Sequence, residues 1–296
     1  MHIFDPLPNS INIGPLTLYF YSLMILSGVL VALYLGLKEG EKLGIDKDII
    51  LDGIIIILPL AILGTRIWYV MFSWDQFRDD LGRIFRINEG GLAIHGGFIV
   101  AVIATYVYTR IRKVDLFRAV DLVAPGFLVA QALGRWGNFF NQEAHGFVIG
   151  QSTNGTPNLS LDQQRAFLSE TLRLPNFITN NMYLRGPVGL QYYHPTFLYE
   201  SLWNLVGFAL ILVLRRTKFM RSGEMLAVYL IWYSVGRFTI ESMRTDALFI
   251  GNTNLMIAQV VSLTMILLGI AWIAALRFVI KRPTYREVLE NPTQVF

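Results

Sequence analysis

Apolar residues run along this chain in seven long blocks, at about 16–36, 49–72, 93–109, 119–134, 195–214, 224–243 and 254–276. At roughly 1.5 Å of rise per residue, about 20 apolar residues cross a hydrocarbon core, so the blocks predict membrane-crossing helices. The third and fourth are short for this. Polar connections separate them, the longest at 144–193. There Asn154-Gly155, Pro157, Pro175 and Pro187 signal turns, and an apolar-polar stretch at 161–173 predicts a short helix. The expected fold is all-α: a polytopic membrane protein with seven transmembrane helices, one integral domain over 1–296. Segment 144–193 is expected to form a small external head between the fourth and fifth helices. No internal repeat is visible, and an odd helix count does not suit a duplicated transporter half.

Composition supports the membrane reading. Of 296 residues, 54% are hydrophobic and 16% charged, against about 25% charged in a soluble domain; mean hydropathy is +0.48. This excludes a disordered chain, a nucleic-acid-binding domain and a disulfide-stapled secreted module. The basic pI of about 9.3 reflects a net charge of only +4, and a membrane gives those residues a topological task. All six lysines, among them Lys38, Lys113, Lys218 and Lys281, fall in one set of connections with nine arginines. The opposite set holds eight arginines and no lysine. That asymmetry predicts an outside amino terminus and a cytoplasmic carboxyl terminus. No basic residue precedes the first block, so it lacks the charged start of a cleavable signal peptide and is expected to stay. Cysteine is absent, so the chain offers no thiolate nucleophile or redox pair. The four histidines, His2, His95, His145 and His194, show no zinc spacing. Neither metal nor cofactor is expected.

Ionisable groups in a membrane are costly and usually functional or paired. Counted along the blocks, most of Arg66, His95, Arg135, His194, Glu200, Arg237 and Tyr21 come to one level near the outer boundary, whereas Asp121 lies near the inner surface. Plainer readings exist: Arg66 can pair with Glu200 or Glu241, and His95 beside Gly96-Gly97 can be a satisfied histidine at a close helix crossing. A shared level favours a site. A transporter or channel for an anion would need polar groups through the full depth, but the inner halves of the blocks are almost wholly apolar.

The fourth block is too short to cross, so the polar, glycine-punctuated stretch Gly134–Gly146 is expected to enter the membrane as irregular backbone, tolerated where it lines a cavity or packs on protein. An external loop cap is the alternative. In that stretch Arg135, Asn138, Asn141 and Glu143 supply donors and acceptors, while Trp136, Phe139 and Phe140 anchor it. On the sixth block Tyr233, Arg237, Glu241 and Arg244 follow an i, i+4, i+8, i+11 spacing that places them on one helical face. A guanidinium held by a carboxylate one turn away can receive a phosphate without standing as an isolated buried cation; a purely structural ladder is the competing reading.

These residues resemble those of the bacterial prolipoprotein diacylglyceryl transferases over nearly the whole chain, though nothing aligns at 147–191. The likeness rests on Ile13-Gly14-Pro15 with Tyr21, the Gly64–Arg66 step, His95-Gly96-Gly97, His194-Pro195, Tyr199-Glu200 and Gly236-Arg237 with Glu241 and Arg244. Gly134–Gly146 matches the signature Gly-Arg-x-Gly-Asn-Phe-x-Asn-x-Glu at every fixed position. The resemblance implies a plasma-membrane enzyme that moves the diacylglyceryl group of phosphatidylglycerol onto the lipobox cysteine of a prolipoprotein and releases glycerol-1-phosphate. Membrane lipid and the signal-peptide segment are the partners implied, and the chain is expected to act as a monomer.

Roles follow as expectations. A thiol attacks as thiolate, and an imidazole with its ordinary pKa near 6.5 can take the proton, which puts His95 forward. Arg135 and Arg237 are expected on the phosphate, with Glu241 and Tyr233 orienting Arg237. Tyr21, Asn138, Asn141 and Glu143 are expected to shape the headgroup pocket, with Gly146 allowing close backbone approach. Arg66, His194 and Glu200 stand behind them. Another phospholipid-headgroup transferase on the same scaffold is separated from this reading only by the signature.

Overall fold

A computed structural model describes residues 7–87, 90–152, 155–186, 188–251 and 253–292; His2, Asn154 and Pro187 of the sequence reading lie outside the described residues. The elements in chain order are β1 (Ser10–Ile13), β2 (Leu16–Tyr19), α1 (Phe20–Lys42), α2 (Lys47–Phe72), α3 (Ile94–Ile111), α4 (Leu116–Asn141), α5 (Leu161–Ala166), α6 (Asn176–Asn181), β3 (Tyr183–Gly186), β4 (Gly189–Tyr192), α7 (Thr196–Leu214), α8 (Glu224–Glu241), α9 (Ile257–Ala274) and α10 (Tyr285–Glu290). The chain is mostly helical, and α1, α2, α3, α4, α7 and Ile257–Val279 are long and apolar enough to cross a membrane. It is a multi-pass membrane protein. Helix α8 carries Glu224, Arg237 and Glu241 within eighteen residues, which dilutes its apolar character.

Two antiparallel hairpins depart from the expected all-helical chain. In the first, Ile13 pairs with Leu16 across a turn in which Gly14 has φ 59°. Leu16–Tyr19 is therefore strand, and helix begins only at Phe20, later than the apolar block suggests.

The chain forms two compact units, one of residues 1–35 and 123–286, the other of 36–122 and 287–296. In the second, α2 and α3 meet through small residues. A Cβ on Gly96 would lie 2.3 Å from the Gly64 carbonyl oxygen, and one on Gly97 would lie 2.5 Å from Thr65 Cγ2. Close backbone approach of this kind is how helices associate where lipid removes the hydrophobic drive. Arg66, buried at the end of α2, donates to the carbonyls of Ile84 (2.9 Å), Gly90 and Gly91 (2.8 Å each), Arg83 (2.6 Å) and Arg86 (3.4 Å). All five guanidinium N–H groups are thus spent on the connection before α3.

In the first unit, α1 and α4 pack through a matching stripe. A Cβ would meet Ala130 from Gly28 at 2.9 Å, Ala32 from Gly126 at 3.0 Å, Ile25 from Gly134 at 3.2 Å and Tyr21 from Gly137 at 2.6 Å. This corrects the expectation of irregular backbone at 134–146. The stretch is α-helical to Asn141, its glycines are contact sites, and the backbone leaves the helix only where Gln142 (φ 54°) and Ala144 (φ 56°) turn left-handed.

The segment between α4 and α7 folds on a core of its own. Val148, Ile149, Leu168, Ile178, Met182, Leu184, Tyr192 and Tyr193 cluster with Phe139 of α4 and Phe197 of α7, whose rings stack at 4.6 Å. The predicted helix at 161–173 is α5 followed by a π-helical turn, Phe167–Thr171. A capping box of Ser160 and Gln163 starts it. Buried Gln164 then ties it to β4, donating to Gln191 (2.7 Å) and accepting from the Tyr192 amide (2.9 Å). This small body holds the ends of α4 and α7, both of which carry charged site residues.

Candidate active site

Three arginines gather on two buried carboxylates in the first unit. Glu200, in the second turn of α7, receives Arg135 Nη2 at 2.6 Å and Arg237 Nη1 at 3.4 Å, with Arg244 Nη1 at 3.8 Å. Glu241 pairs with Arg237 Nη2 at 2.7 Å and stands 3.9 Å from Arg244 Nε. Both carboxylates have 4% exposed side chains, whereas the three guanidiniums keep a partly open edge. Burying two carboxylates costs several kcal/mol each unless cations meet them; here the arginines meet them and are oriented in return. A fork fixed on one side by a carboxylate retains planar N–H donors for a second anion.

Register places these groups. Helices α7 and α8 cross through a reciprocal clasp in which Trp203 Nε1 donates to the Trp232 carbonyl and Trp232 Nε1 to the Trp203 carbonyl, each at 2.9 Å. The indoles stack at 4.3 Å. Each ring occupies the space left by the glycine one turn beyond its partner, Gly207 or Gly236. Glu200 lies three residues before Trp203, and Arg237 follows Gly236, so the clasp sets their separation.

On α4, Arg135 Nη1 reaches Asn138 Oδ1 at 3.4 Å, and the amides of Asn138 (2.9 Å) and Asn141 (3.3 Å) donate to Glu143 Oε1. The signature residues therefore form a chain of hydrogen bonds running outward from Glu200. Tyr21 packs its ring against Gly137. Gly146 is held between two other segments: its amide donates to the His194 carbonyl at 2.9 Å and it bridges to Arg244. A Cβ there would lie 2.8 Å from His194 Cβ; the close approach that requires glycine is to protein. His194 Nδ1 lies 3.2 Å from the Tyr199 hydroxyl, one residue from Glu200.

Several expectations are altered. Arg244 lies beyond the end of α8, so it does not share the helical face of Arg237; a turn brings it back toward Glu241. Tyr233 stacks on Tyr229 at 5.9 Å, and no hydrogen bond links it to Arg237 among the described residues. His95 opens α3 in the second unit as an exposed side chain; Arg66 belongs to the same unit. Missed from the sequence were Asp246, which takes the Arg244 fork at 2.9 and 2.7 Å, and Thr196, whose hydroxyl donates to the Ala144 carbonyl at 2.7 Å. Arg244 stood in the motif without a role, three residues past Glu241.

Around this cluster the titrating groups are biased. Burial holds the His194 imidazole below its ordinary value. His145 is lowered by burial too, partly opposed by the Gly146 carbonyl. The Arg244 guanidinium holds the Asp246 carboxyl below the usual range. Among the described residues no three His, Asp or Glu side chains are grouped to hold a metal ion.

Comparison with known proteins places this arrangement. Residues 8–275 match the family model described as prolipoprotein diacylglyceryl transferase. A phosphatidylglycerol–prolipoprotein diacylglyceryl transferase of Listeria innocua is 46% identical over 95% of this chain and 93% of its own length. The like-named protein of Bacillus cereus is 46% identical over 90% of this chain and 91% of its own. With its signature residues built onto one arginine–carboxylate cluster, the chain belongs to the prolipoprotein diacylglyceryl transferase family.

Proposed function

We propose that this chain transfers the diacylglyceryl group of phosphatidylglycerol to the lipobox cysteine of a prolipoprotein. The sulfur attacks the glycerol carbon that bears the phosphate, a C–S bond forms, and the C–O bond breaks with its electron pair passing to the phosphate oxygen. Glycerol-1-phosphate leaves and the thiol proton goes to a base. The leaving phosphate gains charge in the transition state, so donors fixed toward it contribute most. Arg135 and Arg237 take that role, each steadied on one side by Glu200 or Glu241. The observation that carries the reading is this cluster: three guanidiniums preorganised on two buried carboxylates, within a family whose relatives are named for an anionic phospholipid.

Asn138, Asn141, Glu143 and Tyr21 shape the headgroup end, and His194 with Tyr199 backs Glu200. Gly146 and Tyr233 act through packing, and Arg66 through the connection it ties. His95 serves as the base, its imidazole exposed at the start of α3. In the bacterial plasma membrane the amino terminus is outside, the carboxyl terminus cytoplasmic, α8 is the sixth of seven spans and the 144–193 head is external. The chain is proposed to act as a monomer. Purified protein, labelled phosphatidylglycerol and a lipobox peptide test the reading. Label should enter the peptide only when its cysteine is present; label transferred to a cysteine-free peptide, or none at all, refutes it.

A further inference from the structure

The ion pairs of the cluster balance before any lipid arrives. Arg135, Arg237 and Arg244 face Glu200, Glu241 and Asp246, three cations against three anions. A phosphodiester entering such a site adds a further negative charge, with Glu143 already joined to Arg135 through Asn138, and competes with the carboxylates for the guanidiniums. Glu200 and Glu241 are buried. Asp246 differs: its side chain is 52% exposed, while its partner Arg244 is 11% exposed. Arg244 is also poised between two sets of partners. Its fork is closed on Asp246 at 2.7 and 2.9 Å, yet Nη1 and Nε stand only 3.8 and 3.9 Å from Glu200 and Glu241. Arg244 thus stands within 4 Å of all three carboxylates.

Building on the phosphate-binding reading above, we infer that Asp246 is a positioning residue that trades places with the lipid phosphate as the counter-ion of the cluster. When the phosphate arrives, Asp246 releases Arg244 into water-facing solvation of its own carboxylate. Arg244 swings onto Glu200 and Glu241, and Arg135 and Arg237 are freed to turn their remaining donors to the phosphate. After transfer, glycerol-1-phosphate carries more charge than the diester. Asp246 then recaptures Arg244, lowers the positive charge at the site and helps the product leave.

The exchange predicts an unusual kinetic signature. Asp246→Asn removes the competitor for the Arg244 fork, so the KM for phosphatidylglycerol should fall about five- to tenfold, the worth of one net hydrogen bond. Inhibition by added glycerol-1-phosphate should tighten by a similar factor and kcat should drop as release slows. Asp246→Glu should restore all three. In an Arg244→Gln background, adding Asp246→Asn should change nothing, and this cycle remains readable if the single variant is less stable. An unchanged or raised KM in Asp246→Asn, or additive effects in the double variant, overturns the exchange. Arg237→Lys separates the two ideas. If it collapses turnover while Asp246→Asn leaves KM untouched, only the exchange fails; if it is silent, the phosphate reading fails and takes the exchange with it.

Discussion

A guanidinium that must grip a carboxylate on one edge and a phosphate on another uses its planarity as much as its charge. Arg135 joins Glu200 and Asn138 through different nitrogens, a reach that an ammonium cannot reproduce. Arg135→Lys should therefore lower kcat by about 100-fold or more, the scale of losing an oriented donor to developing charge. Near-normal turnover in the peptide assay would remove Arg135 from the phosphate. The histidines give a different readout. His145 and His194 fold with pKa values below the ordinary 6.5, so on acidification the unfolded chain takes up protons first. Stability should be flat above about pH 7 and fall as pH drops through 6.5. Asp246, lowered instead, keeps its contribution until the pH falls below the ordinary carboxylate range. Thermal transitions between pH 7.5 and 5 should fall, and fall less in His194→Asn; a flat profile contradicts this. Arginines and glutamates in apolar blocks betrayed themselves in the sequence because a membrane makes such residues expensive. Asp246 did not, since an exposed acid past a helix end looks like any solvated charge.

At the scale of elements, glycine spacing determines how closely the helices approach. A methyl on Gly236 would lie 2.3 Å from the Trp203 indole, so Gly236→Ala must pry open the clasp between α7 and α8. Overpacking of this kind costs about 1–3 kcal/mol. Because Arg237 is the next residue, kcat should fall along with the thermal transition. Gly36→Ala is the matched control: its Cβ would meet nothing nearer than Leu122 at 4.0 Å, and helix propensity alone predicts a gain of roughly 0.5–1 kcal/mol. Equal losses in both variants would show that the clasp has no special part. The helices themselves were legible from hydrophobic blocks. The conformation of 134–141 was not, because glycines that break a soluble helix also let membrane helices touch, and composition alone does not tell the two apart. Both β-hairpins were hidden for a similar reason: four-residue strands beside long apolar blocks leave no periodicity of their own.

For the whole molecule the property to measure is sidedness, and the chain is well suited to measuring it. It contains no cysteine, so single substitutions can be labelled without first removing native thiols. The lysine asymmetry predicts a cytoplasmic 215–221 connection and an external head. Helix α8 is more polar than the six apolar helices, and its own site residues explain why. Arg237 and Glu241 make it less apolar while pairing with each other and with Glu200, so neither meets lipid as a bare charge. If α8 crosses, Ser160→Cys and Thr253→Cys should react with a membrane-impermeant maleimide in intact cells, and Lys218→Cys only after permeabilisation. All three native side chains are exposed, so burial does not mask the labels. Reaction of Lys218→Cys and Thr253→Cys from the same side would mean that α8 does not cross. That outcome would overturn the proposed position of the cluster at the outer leaflet.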